Sequence, residues 1–191
     1  GGVEVMSMVP IGSNIKDGYD AGHGFPFDSD GISERYPGIF FSQFSGAEMM
    51  AEKWNLSRED LDRFALSSHQ KAAAAVEGKH FDREILPVQA KNEEGKTDMV
   101  LNDEGIRYDA SLEALSGLNP ITEGGVITAG NASQITDGAA AVMICNDEGL
   151  KKIKADPRAR IKGISVVGDD PVIMLSGPIP ASRQVLNATN L

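Results

Sequence analysis

The amino-acid sequence predicts an α/β fold. Two observations carry this expectation: short apolar runs of strand type alternate with amphipathic stretches of helical period, and one such run, Ala139 to Ile144, is continuous rather than alternating. The first is the pattern of a sheet covered by helices. The second is what a strand buried on both faces requires. A third observation sets the scale: 191 residues, 41% hydrophobic and 24% charged, suffice for one or two ordinary domains with a sizeable core.

In chain order, Gly1 to Met8 reads as a strand end whose paired glycines admit a neighbouring backbone. Residues 10–44 carry Gly, Pro and Asp without a steady period, and Phe25, Phe27, Tyr36, Phe40 and Phe41 among them seek burial. That combination is a structured excursion rather than a linker. Ser45-Gly46-Ala47-Glu48 has the spacing of a capping box and opens a helix with Met49, Met50 and Trp54 behind it. Ser57-Arg58-Glu59-Asp60 opens a second, longer helix, whose Leu61, Phe64, Ala65, Ser68, Ala72, Ala75 and Val76 share a face before Gly78 stops it. Ile85 to Val88 reads as an edge strand, Asn92 to Asp98 as a polar loop, and Ser111 to Leu118 as a helix. Val126 to Thr128, Ala139 to Ile144 and Ile161 to Val167 read as strands. Asp147 caps a helix to about Lys154, and Pro178 or Pro180 begins the last one.

Charge excludes some functions. A formal net charge of −10 is opposite to that of a nucleic-acid binder, which gathers Lys and Arg on one face. The basic run from Lys151 to Lys162 reads as a helix end and solvated loop. There is no apolar run of about 18 residues to span a membrane, and no start of the signal-peptide kind. Cys145 is the sole cysteine, which fits a reducing, cytoplasmic setting, and its apolar neighbours predict a buried thiol. Asp28-Ser29-Asp30-Gly31 lacks the rest of a calcium loop, and His23, His69 and His80 have no ligand spacing, so no metal site is expected.

The segment Gly125 to Ala141 stands apart. Gly and Ala dominate it, with Thr128, Asn131, Ser133, Thr136 and Asp137 interleaved. Small residues let a backbone approach a ligand or another strand, and short polar groups supply hydrogen bonds. A tight turn feeding a buried strand explains the composition equally well.

Thr128-Ala129-Gly130-Asn131-Ala132-Ser133 followed by Thr136-Asp137-Gly138-Ala139-Ala140-Ala141 resembles the signature stretch of the thiolase family. Other landmarks follow the family's order. They are Gly1-Gly2-Val3-Glu4 with Met6-Ser7, then Ala47-Glu48, Trp54, Leu56-Ser57-Arg58, Asp62, Ala65 and Ser68. Glu84 to Val88, Gly168-Asp169-Asp170-Pro171 with Met174, and Gly177-Pro178-Ile179-Pro180-Ala181 complete the series. The resemblance implies an internal part of a partial thiolase fold, a mixed sheet core covered by helices with a helical loop domain. Residues 1–8 would end the N-terminal core domain, 9–133 form the CoA-binding loop domain, 134–154 return to the core, and 155–191 open the C-terminal core domain.

Thiolases cleave 3-ketoacyl-CoA with CoA, or run the reverse condensation, through an acylated cysteine. The resemblance places that cysteine before Gly1, and the family's histidine and second-cysteine motifs after Leu191, so no residue here is expected to be catalytic and the chain by itself is expected to be inactive. It assigns CoA contacts instead. Ser133 would bond the pantetheine arm with Ala129 and Ile135 beside it, and Arg107 would meet the 3′-phosphate end. Ile32 would lie near the pantetheine and Met174 would line the acyl pocket. CoA would be a substrate, with no permanently bound cofactor, and the whole protein a homodimer or homotetramer. Val5, Leu175, the Gln43 to Gly46 stretch and Glu113-Ala114 depart from the family's usual residues and lean toward a degradative member with bulky acyl chains. The alternative is a CoA-binding or scaffolding relative without the chemistry. Taken alone, the chain is expected to expose apolar surface around Ala139 to Ile144.

Overall fold

The computed structural model describes residues 1–91 and 94–191. They form two compact units, one of Gly1–Lys53 with Ile135–Leu191 and the other of Trp54–Gln134. This division groups residues 9–53 with the core strands rather than with the long helix. Helices and strands are both present, as the α/β class requires.

In the first unit, β1 (Gly2–Glu4) pairs antiparallel with β4 (Gly138–Ala140), setting Val3 opposite Ala139. A Cβ on Gly1 would stand 2.9 Å from the Ala140 carbonyl oxygen, so Gly1 admits a close backbone, whereas a Cβ on Gly2 would meet nothing within 4 Å. Past the ladder's end, the Asp137 carboxylate accepts from the Ser7 backbone N–H at 2.9 Å and from the Ser7 hydroxyl at 2.5 Å. The excursion contains two helices that the sequence pattern does not announce, α1 (Ser13–Asp20) and α2 (Asp30–Arg35). Around them the five aromatic residues join edge and face, with Phe25 stacked on Phe40 and Tyr36 set edge-on to Phe41. Their burial is incomplete: Phe40 remains 66% exposed.

Helix α3 (Gln43–Lys53) starts two residues before the predicted Ser45, because the Gly46 N–H already donates to the Ser42 carbonyl. Gly46 is buried where a Cβ would meet the Ile173 carbonyl oxygen at 2.5 Å, so the close approach of α3 to residues 173–174 needs glycine. Helix α6 (Asp147–Ile153) is capped by Asn146, not Asp147, through the Gly149 N–H at 2.9 Å. Helix α7 (Pro178–Thr189) begins at Pro178 as expected. Gly163 lies under it, and the Ser165 hydroxyl donates to the Ala181 carbonyl at 2.7 Å.

The predicted strands fare less well here. Residues 161–167 pair with nothing as a strand, with Ile164 82% and Val166 87% exposed. Of Ala139 to Ile144, only the first two residues pair, and Val142, Met143 and Ile144 face solvent. Cys145 is exposed, contrary to the expectation of a buried thiol. One cause underlies all three corrections: a strand buried on both faces needs covering layers, and among the described residues β1 alone pairs with β4.

In the second unit, α4 (Arg58–Glu77) carries the full capping box. The Ser57 hydroxyl accepts from the Asp60 N–H at 3.1 Å and the Asp60 carboxylate accepts from the Ser57 N–H at 2.9 Å. Its stop falls at Gly78 as read, but the left-handed residue beyond is Lys79, at φ 57. The hairpin β2 (Val88–Lys91) and β3 (Thr97–Val100) replaces the expected strand at 85–88 and claims the end of the expected polar loop. Residues 92 and 93 of that loop lie outside the described residues. Helix α5 (Leu112–Ser116) is capped by Ser111. Val126 to Thr128 forms no strand and contributes an isolated bridge between Pro120 and Thr128. The Asn131 side chain bonds the Thr128 N–H and the Val126 carbonyl, and backbone N–H groups of Ile121, Asn131 and Ala132 take the Ile127 and Thr128 carbonyls.

The hydrogen bonds from Ser7, hydroxyl first and backbone N–H second, hold the Asp137 carboxyl below the ordinary carboxylate range. A carboxylate with a depressed folded pKa stabilises the native state above its unfolded value of about 4, and that stability is lost as pH falls through the lower folded value. Asp137→Asn therefore flattens the decline in melting temperature below about pH 4 and lowers stability at neutral pH. Thermal melts across the acid range check this.

Candidate functional site

The signature loop is held from beneath by one buried carboxylate. Asp62, on the first turns of α4, is 2% exposed. Its Oδ2 accepts from Arg58 Nε at 2.8 Å, one helical turn back, and its Oδ1 accepts from Asn131 Nδ2 at 3.1 Å. The same Asn131 nitrogen donates to the Val126 carbonyl at 3.0 Å, and Asn131 Oδ1 accepts from the Thr128 N–H at 2.8 Å. Thr128 is fully buried, and its hydroxyl oxygen accepts from the Gly130 N–H at 3.1 Å. Arg58 also donates from its second guanidinium nitrogen to the Leu115 carbonyl, which ties in the end of α5. Buried polar groups with every partner supplied hold a loop in one shape.

Gly130 fits this loop for a steric reason. A Cβ there would stand 2.6 Å from side-chain methyls of both Leu115 and Leu118. The small residues of the loop thus serve packing against α5. The polar ones divide between internal bonding, as with Thr128 and Asn131, and outward presentation.

Ser133 is the outward one. It is exposed, and among the described residues its hydroxyl bonds no protein group, so it does not cap the turn it sits in. Ala129 is exposed beside it. Arg107 lies on an irregular segment of the same unit, exposed, with a guanidinium that makes no hydrogen bond or ion pair among the described residues. The two segments are joined next door to these residues: Gln134 Nε2 donates to the Gly105 carbonyl at 2.6 Å. The Arg107 N–H donates to His69 Nδ1 at 3.2 Å.

The other three predicted positions belong to the first unit. Ile32 lines a cavity of about 480 Å³ walled by Tyr19, Phe25, Phe27, Tyr36 and Phe40. Ile135 is 74% exposed. Met174 takes a left-handed conformation, φ 47, in a turn where Asp170 Oδ1 accepts from the Val172 N–H at 2.8 Å. Just beyond, the buried Ser176 hydroxyl donates to Asp169 at 2.8 Å and holds that carboxyl below its ordinary range. Among the described residues no cluster of His, Cys, Asp and Glu could hold a metal ion, and no helix is long and apolar enough to cross a membrane.

Sequence reading misses the supports. His69 carries no ligand spacing and so reads as structural, while Gln134 sits between two signature blocks without belonging to either. Asp62 is visible as a family landmark, but a carboxylate inside a helix gives no sign that it will be buried beneath a loop 69 residues away.

By its fold the chain is an α/β protein whose second unit holds a pinned small-residue loop. Residues 1–148 match the N-terminal domain of thiolases, and the chain belongs to the thiolase family. It is 45% identical over its full length to a steroid 3-ketoacyl-CoA thiolase of Mycobacterium tuberculosis, covering 46% of that protein. It is 38% identical to a 3-ketoacyl-CoA thiolase of Aliivibrio fischeri, again over its full length and 47% of the relative. A crystal structure of the Bacillus anthracis acetyl-CoA acetyltransferase superposes with a TM-score of 0.74 at 38% identity, over 81% of this chain and 39% of that one. The chain thus spans about half the length of the curated relatives it matches.

Asn131→Ala leaves a buried Asp62 oxygen and the Thr128 N–H without their partners, which costs about 1–3 kcal/mol. Asn131→Asp costs more at neutral pH, because it sets a second carboxylate against Asp62 and the Val126 carbonyl. Urea unfolding of both variants checks the order.

Proposed function

We propose that this chain is the CoA-binding central segment of an acyl-CoA C-acyltransferase, cleaving 3-ketoacyl-CoA with CoA or condensing acyl-CoA units. The observation that carries the reading is the pinned loop. Among the described residues the exposed Ser133 hydroxyl and Arg107 guanidinium make no hydrogen bond or ion pair, and both sit on supported backbone segments, as groups awaiting a ligand do. Ser133 bonds the pantetheine arm, Ala129 and Ile135 flank it, and Arg107 meets the 3′-phosphate, for which a guanidinium is the suited partner. Ile32 and Met174 serve the pantetheine and acyl ends. The acylated cysteine, and the groups that move protons for it, come from the rest of the protein's length. There a cysteine thiolate adds to the ketone, the carbon–carbon bond breaks and the departing enolate takes a proton to leave as acetyl-CoA, and a second CoA thiolate then displaces the cysteine thiolate from the acyl group. The reading carries with it a cytoplasmic homodimer or homotetramer.

With the full-length protein, Arg107→Ala weakens CoA binding about tenfold and Ser133→Ala about two- to tenfold, the worth of one charged and one neutral hydrogen bond. Both leave the melting temperature unchanged, because among the described residues neither side chain makes a hydrogen bond or ion pair. Calorimetry reads the first, and mass spectrometry after mixing with acyl-CoA tests for the acyl-enzyme. CoA binding without an acyl-enzyme would leave a carrier-binding protein and remove the enzyme.

The acyl group is bulky in this reading. The departures at Leu175 and in the Gln43 to Gly46 stretch lean that way, and one relative is named for steroid substrates. Ring-bearing 3-ketoacyl-CoA is therefore cleaved with a higher kcat/KM than acetoacetyl-CoA, and Met174→Trp narrows that difference. Steady-state kinetics with both substrates checks it.

A further inference from the structure

The backbone that carries Arg107 belongs to no helix or strand, so nothing in the repeating structure fixes where its guanidinium starts. Two side chains do. From one side, the 20-residue helix α4 presents His69, whose Nδ1 accepts the Arg107 N–H at 3.2 Å. From the other, Gln134 donates its amide hydrogen to the Gly105 carbonyl at 2.6 Å. A donor and an acceptor of the same short segment are thus each taken by a side chain. Gln134 adjoins Ser133 in the chain, so the distance between Arg107 and Ser133 is set through a single intervening hydrogen bond. The loop bearing Ser133 is itself fixed to α4 by the Asn131 and Asp62 bond, and His69 rises from that same helix. Helix α4 is therefore the common ruler for both groups.

We propose that His69 and Gln134 are positioning residues that set Arg107 against Ser133, and so make the protein selective for a pantetheine ligand that ends in a phosphate monoester. The inference rests on the CoA reading of Arg107 and Ser133 and adds two residues to it. For His69 the essential feature is an acceptor at the Nδ1 position: the lone pair there receives the Arg107 N–H, and the other nitrogen is not needed. For Gln134 it is the amide N–H. A guanidinium released from this frame still carries its charge but reaches the phosphate in many orientations, which forfeits the two-point geometry that gives selectivity.

The test measures calorimetric affinity of the full-length protein for CoA and for 3′-dephospho-CoA, and takes the ratio as selectivity. Wild type prefers CoA. Arg107→Ala removes the preference; if it does not, the CoA reading of Arg107 fails, whatever His69 does. Given that loss, His69→Leu cuts selectivity about five- to tenfold, while affinity for 3′-dephospho-CoA stays within about twofold. His69→Asn places an oxygen where Nδ1 accepted and restores most of the selectivity. Gln134→Leu behaves as His69→Leu does.

Three outcomes overturn the proposal. In the first, His69→Leu is folded by thermal melt and keeps wild-type selectivity. In the second, His69→Asn loses as much as His69→Leu. In the third, affinity for both ligands falls together, which marks a general structural role or a direct ligand contact. Should His69→Leu fail to fold, His69→Asn and Gln134→Leu decide the matter between them. Retained selectivity in the first with loss in the second supports the proposal, and retention in both overturns it.

Discussion

A carboxylate taken out of water is costly unless its oxygens find donors, and Asp62 finds one for each. The second unit depends on how this is met. Arg58 supplies one donor from the preceding turn of α4, at little cost in order because the helix already places it. Asn131 supplies the other from the signature loop, and in doing so must bring that loop onto the helix. The loop then closes on itself through Thr128 and Gly130, with Leu115 and Leu118 filling the space that glycine leaves. Local helix geometry, one long-range polar bond and apolar packing thus specify a single loop conformation between them.

What the loop offers outward follows from what it keeps inward. Thr128 and Asn131 spend their hydrogen-bonding capacity on the fold, and Ser133 does not. The distinction cannot be drawn from residue type, since all three are short polar side chains with similar turn preferences. It is drawn by Asp62, which captures one of them. Arg107 is sorted in the same way: its backbone serves the fold through His69 while its guanidinium remains available.

The first unit shows the opposite situation. Its polar details are well made: Asp137 is bonded by Ser7, Asp169 by Ser176, and α6 is capped by Asn146. Yet Val142, Met143, Ile144, Ile164 and Val166 face outward with no layer of the described residues over them. Local bonding survives because each of those contacts is made between segments the chain contains. Sheet burial requires more strands and helices than the described residues supply, so residues 141–144 and 161–167 read correctly as apolar and incorrectly as buried strands. This agrees with a chain that spans about half the length of its relatives.

Sequence alone determined the features whose causes are local or written in order along the chain. These were the α/β class, the capping box of α4, the Ser111 start of α5, the proline start of α7, and the family membership carried by Thr128 to Ser133. Capping and helical period act within a few residues, and a family signature needs no folding to be read. Helices α1 and α2 escaped because they are short and carry Gly18 and Gly31, which read as loop residues, and strands β2 and β3 because they are short and exposed. The tertiary structure alone decided which short polar residue faces a ligand and which is consumed by the fold. It also decided that His69 and Gln134 flank Arg107, and that Cys145 is open to solvent. Each of these depends on a partner or a covering layer far away in sequence, and no local pattern records that distance.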